Sequence, residues 1–129
     1  MGWKAQPTAQ INLTDCRIGS EDILGEEGRG FYYAMEGLDG GRLNIAAAAL
    51  GGAQRALDIA LEYTKTRSAF GKNLTNFQTI QFRLADMETN LQSARIFLRQ
   101  AAWKVDKNEK DASVFCAMAK RLVTDAAFE

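Results

Sequence analysis

Residues 77–105 read FQTIQFRLADMETNLQSARIFLRQAAWKV, and in them Phe77, Ile80, Leu84, Met87, Leu91, Ala94, Leu98, Ala101 and Val105 recur at alternating spacings of three and four. Residues so spaced share one face of an α-helix, so the pattern predicts a helix over 77–106 with a continuous, coiled-coil-like apolar seam. Thr75, followed three residues later by Gln78, predicts a capping box at its start, and the charged run from Asp106 to Asp111 predicts a turn at its end. A seam of this length is stable only against other apolar helix faces, and the flanking sequence supplies two.

Upstream, residues 31–66 carry Ala46, Leu50, Ala53, Leu57, Ala60 and Tyr63 or Thr64 on one side, with Arg55, Asp58, Glu62 and Lys65 as a narrow polar stripe. So wide an apolar surface predicts a helix packed on several sides. Gly51 and Gly52 interrupt it at a cost of about 1 kcal/mol each relative to alanine, which predicts close passage of another backbone or a ligand. Downstream, a third helix is expected from near Asp111, with Val114 or Phe115, Met118, Leu122 and Ala126 inward, and no glycine or proline stop precedes Glu129. Met87, Phe97, Trp103, Phe115 and Met118 fall at helical spacing and are expected in the core. The fold class is therefore mainly α, an up-down bundle of three long helices over 31–129, whose wide apolar faces call for a fourth element or a second copy.

Residues 1–30 follow a different grammar. Ile11, Leu13, Cys16 and Ile18 give a short apolar alternation, with Pro7 before it and Gly19, Gly25, Gly28 and Gly30 after it. The pattern predicts a short β segment of one or two strands leading into a glycine-rich connection. Such a segment is marginal alone, so its sheet partners are expected outside this sequence, and both ends read as parts of a larger protein.

Composition narrows the chemistry. The 129 residues are 47% hydrophobic and 25% charged, typical of a globular chain, and their 16 basic and 16 acidic side chains cancel. No electrostatic footprint for nucleic acid or an anionic membrane results. The absence of histidine excludes Ser-His-Asp and Cys-His nucleophiles and His-ligated zinc within these residues. Cys16 and Cys116 form no CxxC spacing, so no metal site is expected, and both are read as reduced, buried thiols of a cytosolic-type protein. No apolar run reaches membrane-spanning length, and the start Met-Gly-Trp-Lys-Ala-Gln lacks the apolar core of a signal peptide.

Two stretches carry candidate chemistry. Asp39-Gly40-Gly41-Arg42 places two glycines beside an acid and an arginine, which reads either as a polar ligand site or as a kinked turn with a surface ion pair worth about 0–1 kcal/mol. The stretch 67–78 combines Arg67, suited to phosphate, with the flat apolar rings of Phe70 and Phe77 and the amide of Gln78. Together these would suit a nucleotide-type cofactor carrying a pyrophosphate, or form a helix-turn-helix corner with both phenylalanines in the core. Neither Gly25-Glu-Glu-Gly28-Arg-Gly30 nor Phe70-Gly71-Lys72-Asn73 matches a GxGxxG or P-loop phosphate cradle.

Arg67-Ser-Ala-Phe70-Gly71-Lys-Asn-Leu74-Thr-Asn-Phe77-Gln78, followed by Leu84-Ala85-Asp86-Met87, resembles the R-x-x-F-G-x-x-L-x-x-x-Q…L-A-D/E-M signature of the acyl-CoA dehydrogenases. Leu24-Gly25-Glu-Glu-Gly28-Arg-Gly30-Phe31 resembles the segment where that family's central β domain meets its C-terminal helical domain, and Asp15-Cys16-Arg17 its strand-ending EDCRV segment. Met1-Gly2-Trp3 with Gln6-Pro7-Thr8, and the run from Gly37 to Ala46, are most similar to the isobutyryl-CoA, short branched-chain members. The resemblance assigns 1–30 to the tail of the β domain and 31–129 to the first three helices of the helical domain.

That resemblance implies FAD-dependent α,β-dehydrogenation of an acyl-CoA: a carboxylate removes the α-proton, the flavin takes the β-hydride, and electrons pass to an electron-transferring flavoprotein. Arg67 would bind FAD phosphate across a subunit interface, with Phe70, Phe77 and Gln78 completing the adenine-side contact, while Asp39, Gly40, Gly41 and Arg42 would line the acyl-CoA cleft. A homodimer or homotetramer built through the bundle is implied, as is a bacterial cytoplasmic or mitochondrial-matrix location. The sequence departs from the family at the base: the usual glutamate is expected beyond Glu129, and Gly41 stands where a minority of members carry it. No catalytic residue is therefore assigned to this chain, which is expected to be inactive by itself and to hold flavin weakly. Two alternatives stand beside this reading, a non-catalytic helical interaction module and an acyl-CoA oxidase-like protein.

Overall fold

The structure is a computed structural model and describes residues 6–128; the Met1-Gly2-Trp3 resemblance lies outside them. Two compact units divide the chain, Met1–Phe31 and Tyr32–Glu129. In the first, the described residues hold a 3-10 turn, Ser20–Asp22, and no strand. The alternation at Ile11, Leu13 and Ile18 is present, but among the described residues no second strand offers it hydrogen-bond partners, and all three side chains are exposed. The expected β segment is thus an irregular run without a strand among the described residues, and Cys16, expected buried, is exposed with it.

The second unit is the expected helical bundle. Helix α1 spans Gly30–Thr66, strands β1 (Ser68–Ala69) and β2 (Lys72–Asn73) form a two-stranded hairpin, α2 spans Gln78–Asp106, and α3 spans Ala112–Phe128. Thirty-seven residues make α1 about 55 Å long. It stops where Thr64 and Thr66 turn their hydroxyls back onto the carbonyls of Leu61, Glu62 and Tyr63, a bonding pattern that competes with helix propagation.

One core joins all three helices: Ala46 and Leu50 from α1, Leu91, Ala94, Leu98 and Ala101 from α2, and Ala119 and Val123 from α3. The seam of α2 lies where its spacing predicts. The buried face of α3 is displaced by one position, onto Cys116, Ala119 and Val123, while Val114, Met118 and Leu122 are exposed. Both faces of α3 are apolar, and the small residues pack where α2 presents alanines, because small side chains let the helix axes approach. Trp103 is exposed as well, whereas Phe97 and Phe115 pack at the core margin, stacked with centroids 5.6 Å apart.

The predicted capping box is replaced by different chemistry. Leu74–Asn76 form a 3-10 turn, Phe77 occupies the N-cap of α2 in extended conformation without a side-chain cap, and Gln81 rather than Gln78 donates to the Thr75 carbonyl, at 2.8 Å. A methyl group added at Gly51 or Gly52 would meet no atom within 4 Å, so no other backbone among the described residues passes there.

Candidate functional site

The predicted site residues fall at opposite ends of α1. A helical rise of about 1.5 Å per residue puts Asp39 to Arg42 about 40 Å along the helix from Arg67, so the chain forms two neighbourhoods instead of one.

At the far end of α1 the hairpin pairs Ser68 with Asn73 and Ala69 with Lys72, and Phe70 and Gly71 make the turn between them. Both turn residues have left-handed backbone, φ 52° and 78°, as a two-residue type I′ hairpin requires. Left-handed conformation disfavours a phenylalanine, yet Phe70 stands 96% exposed at the tip. The corner reading with both rings in the core therefore fails for Phe70. Its edge meets Phe77 at 6.4 Å and 77°, and Lys72 Nζ lies 4.3 Å from the Phe77 centroid on a ring that is half-buried.

Asn73 locks this corner. Its Oδ1 accepts from the Ser68 hydroxyl at 2.6 Å, and its Nδ2 donates to the Lys65 carbonyl at 2.8 Å, tying the hairpin to the end of α1. The Arg67 backbone is fixed at both poles, its N–H donating to Tyr63 O and its carbonyl accepting from Leu74 N, each at 2.9 Å. Its side chain is exposed and, among the described residues, forms no ion pair. Gln78 is exposed at the first position of α2, where the uncapped first turn presents backbone N–H groups and the positive end of the helix dipole. The corner thus offers an exposed guanidinium on a fixed backbone, a lysine, a helix N-terminus and a solvent-facing aromatic ring, which together suit an anionic ligand with an aromatic part. The Asn73 and Lys72 contributions were missed in the sequence; an asparagine two residues after a turn glycine was the available signal.

At the near end, Arg42 donates to Asp39 Oδ1 in a half-buried pair one helical turn apart. Ser113 from α3 also donates to that oxygen, at 3.1 Å. A methyl group at Gly40 or Gly41 would meet no atom within 4 Å, so open space adjoins the pair. Cys116, fully buried one turn along α3, has its thiol pushed up by burial and by the nearby Asp39 charge, against a weaker opposing pull from Arg42. That makes it a packing group and not a nucleophile. A cavity of about 380 Å³ near the end of α3, walled by Ala53, Leu57, Met87 and Leu91 with Arg83 and Asp86, contains none of the predicted site residues. Among the described residues no carboxylate and thiol cluster is placed to hold a metal, and no helix is long and apolar enough to cross a membrane.

Comparison with known proteins finds relatives over the length of the chain. A family model described as Acyl-CoA dehydrogenase, C-terminal domain, matches residues 28–129. The chain is 43% identical, over its full length, to the mitochondrial isobutyryl-CoA dehydrogenase of Dictyostelium discoideum. It is 48% identical over 98% of its length to the mitochondrial short-chain specific acyl-CoA dehydrogenase of Mus musculus. In each case it spans 31% of the relative's length. Among solved structures, butyryl-CoA dehydrogenase from Megasphaera elsdenii matches 84% of the chain with a TM-score of 0.81 and 47% identity, over 28% of that structure's chain.

Proposed function

Because the chain belongs to the acyl-CoA dehydrogenase family, we propose that it is the tail of the central β domain, over 1–30, and the first three helices of the C-terminal helical domain, over 31–129, of an FAD-dependent enzyme that oxidises a short or branched acyl-CoA to the 2,3-enoyl-CoA. The observation that carries this reading is the 67–78 corner, whose hydrogen-bonded backbone presents the exposed side chains of Arg67 and Phe70 to solvent. FAD, when bound, supplies the hydride acceptor. Arg67 holds its phosphates, the uncapped start of α2 at Gln78 adds backbone donors, and Phe70 and Phe77 give the adenine side an apolar surface.

Asp39, Gly40, Gly41 and Arg42 line the acyl-CoA cleft, the glycines leaving room and the ion pair providing polar contacts. The separation of about 40 Å between these residues and Arg67 favours a homo-oligomer, dimer or tetramer, in which one chain's corner serves a flavin site completed by another. The base is a carboxylate outside this chain, since Gly41 offers none. An electron-transferring flavoprotein is the partner that takes the electrons, in the bacterial cytoplasm or the mitochondrial matrix. Identity to isobutyryl-CoA and short-chain relatives is similar, so both substrate classes belong to the proposal.

The complete flavoenzyme bearing these residues is expected to reduce a dye acceptor with butyryl-CoA or isobutyryl-CoA, and the 129-residue chain alone to be colourless and inactive. Failure of the complete enzyme to turn over any short acyl-CoA would defeat the reading.

A further inference from the structure

Ser113 lies in the first turn of α3, in none of the motifs that carry the family resemblance, yet its hydroxyl reaches a residue 74 positions away. It donates to Asp39 Oδ1 at 3.1 Å, and Arg42 donates to the same oxygen from within α1. An aspartate and an arginine one turn apart on a partly open helix face ordinarily exchange rotamers, which is why such pairs contribute so little. A second donor arriving from another helix removes that freedom, because the carboxylate can satisfy both donors through one oxygen in only a narrow range of torsions. The direction of the guanidinium is then set by the direction of the carboxylate.

The support behind Ser113 is itself rigid. Asp111, just before α3, accepts two bonds from Lys104; Phe115 stacks on Phe97; Lys104 Nζ lies 4.4 Å over the Phe115 ring; and Cys116 is fully buried. Side chains that position others act best when carried on such an anchored element.

We propose that Ser113 is a positioning residue for the substrate: its hydroxyl holds Asp39 so that Arg42 is presented to the acyl-CoA in one orientation. This rests on the reading of Asp39 and Arg42 as acyl-CoA contacts. α3 thereby takes part in substrate recognition through α1, without touching the substrate.

The test is steady-state kinetics of the complete flavoenzyme with butyryl-CoA and isobutyryl-CoA, comparing Ser113→Ala, Ser113→Thr, Arg42→Lys and the Ser113→Ala, Arg42→Lys double variant. Losing one hydrogen bond to a charged group is expected to raise KM about five-fold in Ser113→Ala, with kcat unchanged. Ser113→Thr, which keeps the hydroxyl, restores the wild-type KM. In the Arg42→Lys background the alanine substitution adds nothing, since its effect passes through the guanidinium. A Ser113→Ala enzyme with wild-type KM and a lowered thermal midpoint overturns the proposal, leaving Ser113 a packing residue. Arg42→Lys with wild-type KM overturns the underlying substrate-site reading, and the proposal with it.

Discussion

Lys104, in the last turn of α2, donates to both carboxylate oxygens of Asp111, at 2.8 and 2.9 Å, and so closes the turn that leads into α3. The bond from Lys104 holds the Asp111 carboxyl below its ordinary range. The folded chain therefore binds this proton less readily than the unfolded chain, and the pair's stabilisation is present above the ordinary carboxylate range and fades as pH falls through the lowered value. Asp111→Asn is expected to lower the denaturation midpoint near neutrality. The difference from wild type should shrink in urea titrations as pH falls through the carboxylate range and vanish once Asp111 is protonated in the folded chain.

The shared core predicts opposite failures from cavity and overpacking. Leu91, 4% exposed, packs with residues of all three helices, so Leu91→Ala should cost about 2–5 kcal/mol. Ala101 has no exposed surface, and Ala101→Leu should cost about 1–3 kcal/mol by forcing α2 from its neighbours. Chemical denaturation measures both.

Phe70 separates stability from function. Its left-handed backbone and 96% exposure mean that Phe70→Gly removes strain at the expense of only the edge contact with Phe77, so the thermal midpoint should hold or rise. The same substitution should weaken FAD retention in the complete enzyme. Gly71→Ala should do the reverse at the level of folding, costing about 1 kcal/mol at φ 78° although nothing obstructs the added methyl.

Gly51 and Gly52 lie in mid-helix with open space beside them. Replacing either with alanine is expected to stabilise the chain by about 0.5–1 kcal/mol. If that gain is accompanied by lost activity in the complete enzyme, the open face is one that a ligand or another subunit occupies.

Helix positions were legible in the sequence because the 3.6-residue period of α2 is nearly unbroken from Ile80 to Val105 and the turns around it are polar or glycine-bearing. The inward face of α3 was less so: apolar residues lie on both its sides, and only tertiary packing chose Cys116, Ala119 and Val123 over Met118 and Leu122. Strand alternation at Ile11, Leu13 and Ile18 is real but idle, because a strand exists only with a partner. The hairpin at 68–73 was invisible to periodicity, being two residues per strand, and its turn uses Phe-Gly where Asn-Gly would have announced it. Site residues were read through family resemblance and residue chemistry together. The interhelical bond between Ser113 and Asp39 lay beyond any local pattern.

The central claim is that the corner between α1 and α2 holds FAD through Arg67, and the most direct measurement is the flavin dissociation constant of the complete enzyme carrying Arg67→Ala. Because the Arg67 side chain is exposed and forms no ion pair among the described residues, the fold should be retained, with far-UV circular dichroism and thermal midpoint of the apoprotein unchanged. Loss of a charge-assisted phosphate contact of about 1.5–3 kcal/mol should weaken FAD binding by about ten-fold or more. Wild-type flavin affinity in that variant would contradict the account.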